Sequence, residues 1–210
     1  PDGSLWYGSK GNKGLYRYDG KKTEQIHLLE KDSYPPDTIQ PYIIHITRDR
    51  FKNYWIGTDG DGLLHYPSDE LLFNRANIGF VTSIISCNGD VYAGTFKNGL
   101  WKLSSDLSSY SRVLSSACTK THFIRDLYCD SSGRLWVLDE QGIDVYNNNG
   151  NSIFRFEISS TSCRFLNEPG VNLYVSSDNF LYQFNVKGIP ALVSKETCDH
   201  ITCTINAFGK

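Results

Sequence analysis

Methionine is absent from all 210 residues, and no apolar run approaches the roughly 18 residues that a membrane-spanning helix needs. Neither sign of charge dominates: 21 Lys and Arg stand against 23 Asp and Glu, a formal net charge of −2. That balance argues against a dedicated nucleic-acid binder, which needs a basic face to neutralise phosphates. It also rules out a surface that holds anionic lipid by charge. Long amphipathic helical patterns are missing, and only Ser68–Phe73 looks helical, for one or two turns. Catalytic signatures are missing in their turn: there is no G-x-S-x-G elbow, no H-E-x-x-H pair and no Walker loop. The chain opens mid-motif at Pro1-Asp2-Gly3, so it is expected to be part of something longer, and the lack of a signal peptide carries no information.

The six cysteines, Cys87, Cys118, Cys129, Cys163, Cys198 and Cys203, show no C-x2-C pair and hence no zinc spacing. Buried free thiols acting as small hydrophobes are the expectation, with one or more disulfides in an oxidising compartment as the alternative. The five histidines, His27, His45, His65, His122 and His200, scatter without ligand spacing, so neither a metal nor another cofactor is expected. Asp59-Gly60-Asp61-Gly62 starts like a calcium loop but lacks its remaining ligands, and reads as a turn.

What is present favours strand. Tyr 13, Phe 11 and Trp 4 accompany 18 Gly, and aromatic or β-branched runs alternate with Gly, Asn and Asp. One short strand recurs five times: Leu5-Trp6-Tyr7-Gly8-Ser9, Tyr54-Trp55-Ile56-Gly57-Thr58, Val91-Tyr92-Ala93-Gly94-Thr95, Leu135-Trp136-Val137-Leu138-Asp139 and Leu173-Tyr174-Val175-Ser176-Ser177. A second element follows each, opening at Gly14, Gly62, Gly99 and Gly142, with Phe180 replacing the glycine in the fifth copy. Those glycines follow polar turns and are expected to need positive φ. An Ile- or Val-rich strand precedes most copies. Both faces of the Trp strand are apolar, so its sheet must be packed on both sides, as in stacked four-stranded blades around an axis. Five hairpins at a period of about 40 residues fit propeller blades. The expected fold is therefore one all-β domain over residues 1–210, a β-propeller of five recognisable four-stranded antiparallel blades. It is either a closed five-bladed ring or part of a larger propeller, and Ile201–Ile205 has the pattern of an innermost strand.

Asp130-Ser131-Ser132-Gly133-Arg134-Leu135-Trp136 resembles the two-component regulator propeller repeat. Asn53-Tyr54-Trp55-Ile56-Gly57-Thr58 with Gly60-Asp61-Gly62-Leu63-Leu64-His65-Tyr66, and Asp2 to Ser9 with Gly14 to Asp19, are similar to it as well. Three of the five copies match the pattern well. The resemblance implies the periplasmic or extracellular part of an inner-membrane hybrid sensor, often built of successive propellers ahead of a kinase and often answering to carbohydrate fragments. It also implies as partners an oligosaccharide or other small ligand and further propeller or kinase segments of the parent chain, and is compatible with a homodimer. The family builds seven blades per propeller, and five repeats depart from that number.

Asp130 and Trp136 are expected to be structural, the carboxylate accepting turn N–H groups and the indole packing between blades. Loops into the innermost strand and loops between second and third strands should converge on one face, where binding residues are expected. The longest insertion, Leu29–Tyr42, carries Tyr34 and Asp37, and Asp59, Asp61, Phe96, Lys97 and Asp178 lie on loops of the same face. Rings beside carboxylates suit the apolar faces and hydroxyl edges of sugars. A ligand-binding module rather than an enzyme is the expectation. The alternatives are a glycoside hydrolase, which needs two convergent carboxylates from residues such as Asp49, Asp126 and Asp130, and a scaffold that binds a protein through an exposed apolar patch.

Overall fold

The computed structural model describes residues 3–9, 14–26, 40–67, 74–113, 123–158, 163–167 and 172–197. They form nineteen strands and, among the described residues, no helix. The first sheet holds β1 (Leu5–Gly8), β2 (Leu15–Tyr18) and β3 (Thr23–Ile26). The second holds β4 (Ile43–Arg48), β5 (Tyr54–Thr58), β6 (Leu63–Tyr66) and β7 (Asn74–Ala76). The third holds β8 (Val81–Cys87), β9 (Asp90–Thr95), β10 (Leu100–Leu103) and β11 (Tyr110–Arg112). The fourth holds β12 (Ile124–Cys129), β13 (Leu135–Asp139), β14 (Gly142–Tyr146) and β15 (Ser152–Glu157). The fifth holds β16 (Arg164–Asn167), β17 (Asn172–Ser177), β18 (Phe180–Asn185) and β19 (Ala191–Thr197). Each is an antiparallel meander in chain order, and four of the five carry the expected four strands. The first shows three among the described residues; Ser68–Phe73 and the innermost-strand pattern at Ile201–Ile205 lie outside them.

The blades stack through their first strands: β4 lies beside β8, β8 beside β12, and β12 beside β16, while β1 packs on β4. The aromatic of each repeat holds one register. Trp55 sits between Thr47 and His65, Tyr92 between Ile85 and Lys102, Trp136 between Tyr128 and Val145, and Tyr174 between Leu166 and Gln183. Burial on both faces holds for β5 and β13, whereas in β1 Leu5 is 61% exposed and Tyr7 36%. Only Trp6 of that strand packs inward, stacking on Tyr54 of the second blade at 4.5 Å between ring centroids.

In the first three blades a glycine two residues after the aromatic makes room for the next blade. A Cβ on Gly94 would stand 2.5 Å from Ile124 Cγ2, and one on Gly57 would stand 2.7 Å from Val81 Cγ1. In the fourth blade this position is the fully buried Leu138, and the smaller Cys163 shares its core cluster. The glycines opening the second elements take the expected positive φ, 83° at Gly62 and 72° at Gly99. The turn three residues before the aromatic also needs positive φ, supplied by Gly3, Gly89 and Gly133 but by Lys52 (φ 72°) in the second blade. Lysine there is strained, because an L side chain crowds the backbone in the left-handed region.

A carboxylate closes two of these turns. Asp130 Oδ1 accepts from the backbone N–H of Ser132 and Arg134 at 2.9 and 3.0 Å, and its Oδ2 accepts from Trp136 Nε1 at 2.9 Å. Asp49 does the same for Phe51, Asn53 and Trp55, at 2.8, 3.0 and 2.9 Å. Both indoles are fully buried between blades, Trp55 with Val81, Ile84 and Ala93, and Trp136 with Leu173, Val175 and Phe184. In the third blade the position of that carboxylate is Cys87, which is disulfide-bonded to Cys129 of the fourth. Free thiols are thus the wrong expectation for this pair. Adjacent inner strands bring the two sulfurs together across 42 residues of sequence. Cys163 is a buried thiol, and Cys118, Cys198 and Cys203 lie outside the described residues.

Candidate functional site

The antiparallel meander places two kinds of loop at one end of the stack: the entries to the inner strands and the turns from second to third strand. Backbone bonds tie them together, Asp59 N–H donating to Tyr42 C=O at 2.9 Å and Phe96 N–H to Phe80 C=O at 3.0 Å. Asp59 and Asp61 are exposed on the β5–β6 turn, where Asp61 faces Arg75 at 3.6 Å and its carbonyl accepts from Arg75 Nε at 2.8 Å. Phe96 and Lys97 occupy the β9–β10 turn, with Lys97 Nζ 5.5 Å from the Phe96 ring centroid. Asp178 is half-buried on the β17–β18 turn and engaged by neighbouring groups. These five residues share one end of the fold but stand on three blades. Tyr34 and Asp37 lie outside the described residues.

Of the groups between those turns, sequence reasoning named only Asp126 as a site candidate, and then as a hydrolase carboxylate. His45 pairs with Gly57, Ser83 with Gly94, Asp126 with Leu138 and Arg164 with Ser176. Counted from the repeat aromatic, these are one and the same rung on four consecutive inner strands. In the first three a register shift precedes it, at Ile43/His45, Val81/Ser83 and Ile124/Asp126. A bulge of this kind re-aims the side chain that follows it.

Ser83 Oγ donates to Asp126 Oδ1 at 3.0 Å, and the N–H of Phe165 donates to Oδ2 at 3.0 Å, so Asp126 joins three blades. Arg164 Nη1 reaches the Arg125 carbonyl at 2.5 Å. Burial holds the His45 imidazole below its ordinary pKa of 6.5; Asp126 pulls it back up, and Arg164 pushes it down. All three groups stand on inner strands, those of the second, fourth and fifth blades.

Three phenylalanines border this group. Phe96 lies 5.8 Å from Phe80 and 4.7 Å, edge-on, from Phe123, between ring centroids. The Arg125 guanidinium covers the Phe123 ring at 4.5 Å. Phe96 is 41% exposed, so the cluster opens to solvent. An imidazole, a hydroxyl, a carboxylate and guanidinium groups beside an exposed ring are chemically able to hold a ligand that combines polar groups with an apolar face. The sequence held one usable signal, the polar residue opposite the repeat's glycine rung. It is readable only once the inner-strand register is known.

Elsewhere, a crevice of about 700 Å³ opens between the second and third blades, lined by Phe51, His65, Arg75 and Asp106 among others. A smaller one of about 180 Å³ lies beside the disulfide, with Asp90, Tyr92 and Lys102 on its wall. Lys102 donates to Asp90 at 2.8 Å, and that bond raises the lysine pKa. Both crevices sit toward the end of the fold opposite the Phe96 cluster. Among the described residues no three His, Cys, Asp or Glu side chains gather as a metal ion would require.

This architecture defines a β-propeller, and solved propellers superpose on it. The extracellular domains of two B. thetaiotaomicron proteins named as hybrid two-component systems, BT3049 and BT4673, match at TM-scores of 0.71 and 0.67 with 17% and 16% identity. The matches cover 91% and 95% of this chain, which spans 28% and 27% of theirs. Virginiamycin B lyase from Staphylococcus aureus matches at a TM-score of 0.69 and 13% identity, over 98% of this chain and 69% of the lyase. No family model and no curated protein matches the sequence.

Proposed function

We propose that the chain is part of an extracytoplasmic sensor propeller that binds a carbohydrate-derived ligand at the Phe96 end of its axis. The observation that carries this is the constellation itself: a repeated scaffold whose equivalent inner-strand rungs hold four different polar side chains, opening beside an exposed ring. The fold likeness to extracellular domains of two-component systems supports the sensory role. An extracytoplasmic location draws support from the Cys87–Cys129 disulfide, since such bonds persist in oxidising compartments. In this reading further propeller and kinase segments of the parent protein are its partners, and the ligand acts by favouring one arrangement of them.

The hydrolase reading is less favoured. Among the described inner strands Asp126 is the one carboxylate, and it already accepts from Ser83, Phe165 and Leu127. A second carboxylate at glycosidase separation has no counterpart there.

The test is thermal-shift screening of the chain against oligosaccharides, with Phe96→Ala in parallel. A ligand at a hundred times its Kd should stabilise the fold by about 2.7 kcal/mol. Loss of that shift in Phe96→Ala, with its own ligand-free melting unchanged, supports the site. A shift retained in full by Phe96→Ala moves the site elsewhere.

A further inference from the structure

Two neighbouring seams of the stack are closed differently at the end opposite Phe96. Between the fourth and fifth blades Arg134, two residues before Trp136, reaches across. Its Nε donates to Asp130 at 2.7 Å, and its two Nη groups donate to the carbonyls of Val186 and Gly188. One carboxylate and two backbone carbonyls thus hold one planar guanidinium. Those carbonyls belong to the β18–β19 turn, where Asn185 Oδ1 accepts from the N–H of Lys187 at 2.8 Å and Gly188 takes φ 69°.

The fourth blade repeats that turn between β14 and β15. Asn147 Oδ1 accepts from the N–H of Asn149 at 3.0 Å, and Gly150 takes φ 79°. Asn148 and Gly150 therefore stand where Val186 and Gly188 stand one blade on. In the third blade, however, the residue two before Tyr92 is Asp90, which turns to Lys102 of its own blade at 2.8 Å. This seam has no arginine at that position, and the crevice of about 180 Å³ opens there, lined by Asp90, Tyr92 and Lys102 from the third blade and by Asn147 to Gly150 from the fourth. Among the described residues no donor reaches the Asn148 or Gly150 carbonyl, and Lys102 leaves Asp90 Oδ1 without a partner. The seam keeps acceptors like those of its neighbour and lacks the donor.

We propose that this crevice binds a small guanidinium compound, its planar donor edge shared by the carbonyls of Asn148 and Gly150 and the Asp90 carboxylate. The assignment stands independently of the sugar reading. A guanidinium presents five N–H donors in a fixed plane, so several acceptors around one opening suit it better than they suit the point charge of an ammonium. Lys102 offsets the charge of Asp90, and Arg50, beside Gly89 at the same end, lies over the Phe51 ring. Selectivity therefore rests on the number and plane of the donors more than on net charge. Size selects too: the crevice falls below the roughly 300–1,000 Å³ of drug-sized pockets and suits one such group on a short tail.

Amide NMR of the isotope-labelled protein tests this with three matched probes. They are the acetylated amides of arginine, of citrulline, in which an oxygen replaces one nitrogen, and of lysine. The arginine probe should give saturable shifts at Asn88, Asn149 and Gly150, and the other two should bind at least ten-fold more weakly. Asp90→Arg supplies the guanidinium that the neighbouring seam already has. It should abolish binding and, without any probe, move the Asn149 and Gly150 amides toward their bound positions. Asp90→Asn should weaken the arginine probe several-fold, and it keeps the test open if the spectrum shows that Asp90→Arg misfolds. Absent or misplaced shifts with the arginine probe overturn the proposal, as does equal binding of the citrulline probe or undiminished binding in both variants. Tighter binding of a Gly-Gly-Arg-Gly-Gly peptide than of the arginine probe would make the occupant a partner protein's side chain, overturning the small-molecule assignment.

Discussion

At the scale of single residues, the fold depends on where a side chain is withheld. Gly94 has no Cβ because Ile124 of the next blade occupies the space where one would stand. Gly94→Ala should destabilise the protein by about 1–3 kcal/mol, the usual cost of overpacking. Urea denaturation of a double-mutant cycle checks the cause: Ile124→Ala should cost less in the Gly94→Ala background than alone, and strict additivity would contradict the contact. His45 makes a different prediction. Its folded pKa lies below 6.5 because it is buried, so the unfolded chain takes up a proton first as pH falls. Stability should therefore drop as pH is lowered through about 6.5, at up to about 1.4 kcal/mol per pH unit from this group. Denaturation midpoints at pH 7.5 and 5.5 should converge in His45→Gln; an unchanged pH dependence would show that His45 is not responsible.

At the scale of the strand and turn, the inter-blade disulfide has the clearest energetic role. Closing a loop of 42 residues restricts the unfolded chain by about 4 kcal/mol in the chain-entropy picture. The paired variant Cys87→Ser, Cys129→Ser should lose about 2–4 kcal/mol, and added reductant should lower the melting temperature of the parent but not of the variant. This scale also separates what the sequence made legible from what it hid. Leu5-Trp6-Tyr7-Gly8 and its copies announce themselves because each strand repeats aromatic, glycine and turn at fixed spacing. The inner strands repeat no residue type: His45, Ser83, Asp126 and Arg164 share a rung but no chemistry. Their equivalence, like the bulges before the first three, is set by strand pairing. The disulfide was hidden for the same reason, since Cys87 replaces an aspartate and finds its partner one repeat later. Phe96 and Lys97 were legible as a turn, whereas Phe123 and Arg125 were not, because their contact with Phe96 crosses a blade boundary.

At the scale of the whole molecule, each blade takes its stability from the blades beside it, as in other repeat proteins. The third and fourth blades are flanked on both sides and tied by the disulfide, while the first exposes Leu5, Tyr7 and Tyr18. Hydrogen exchange read by mass spectrometry should therefore run fastest in β1–β3 and slowest in β8, β9, β12 and β13. Uniform protection across the sheets would mean that the chain opens as one unit. The repeat also leaves the molecule equipped for optical dissection. Trp6, Trp55, Trp101 and Trp136 fall one to each of the first four blades, and the fifth has none. Their surroundings differ, from the solvent-touched stack of Trp6 on Tyr54 to the sealed, carboxylate-bound indoles of Trp55 and Trp136. Retaining one indole at a time would turn ordinary emission spectra into a blade-by-blade record of melting, with no label attached.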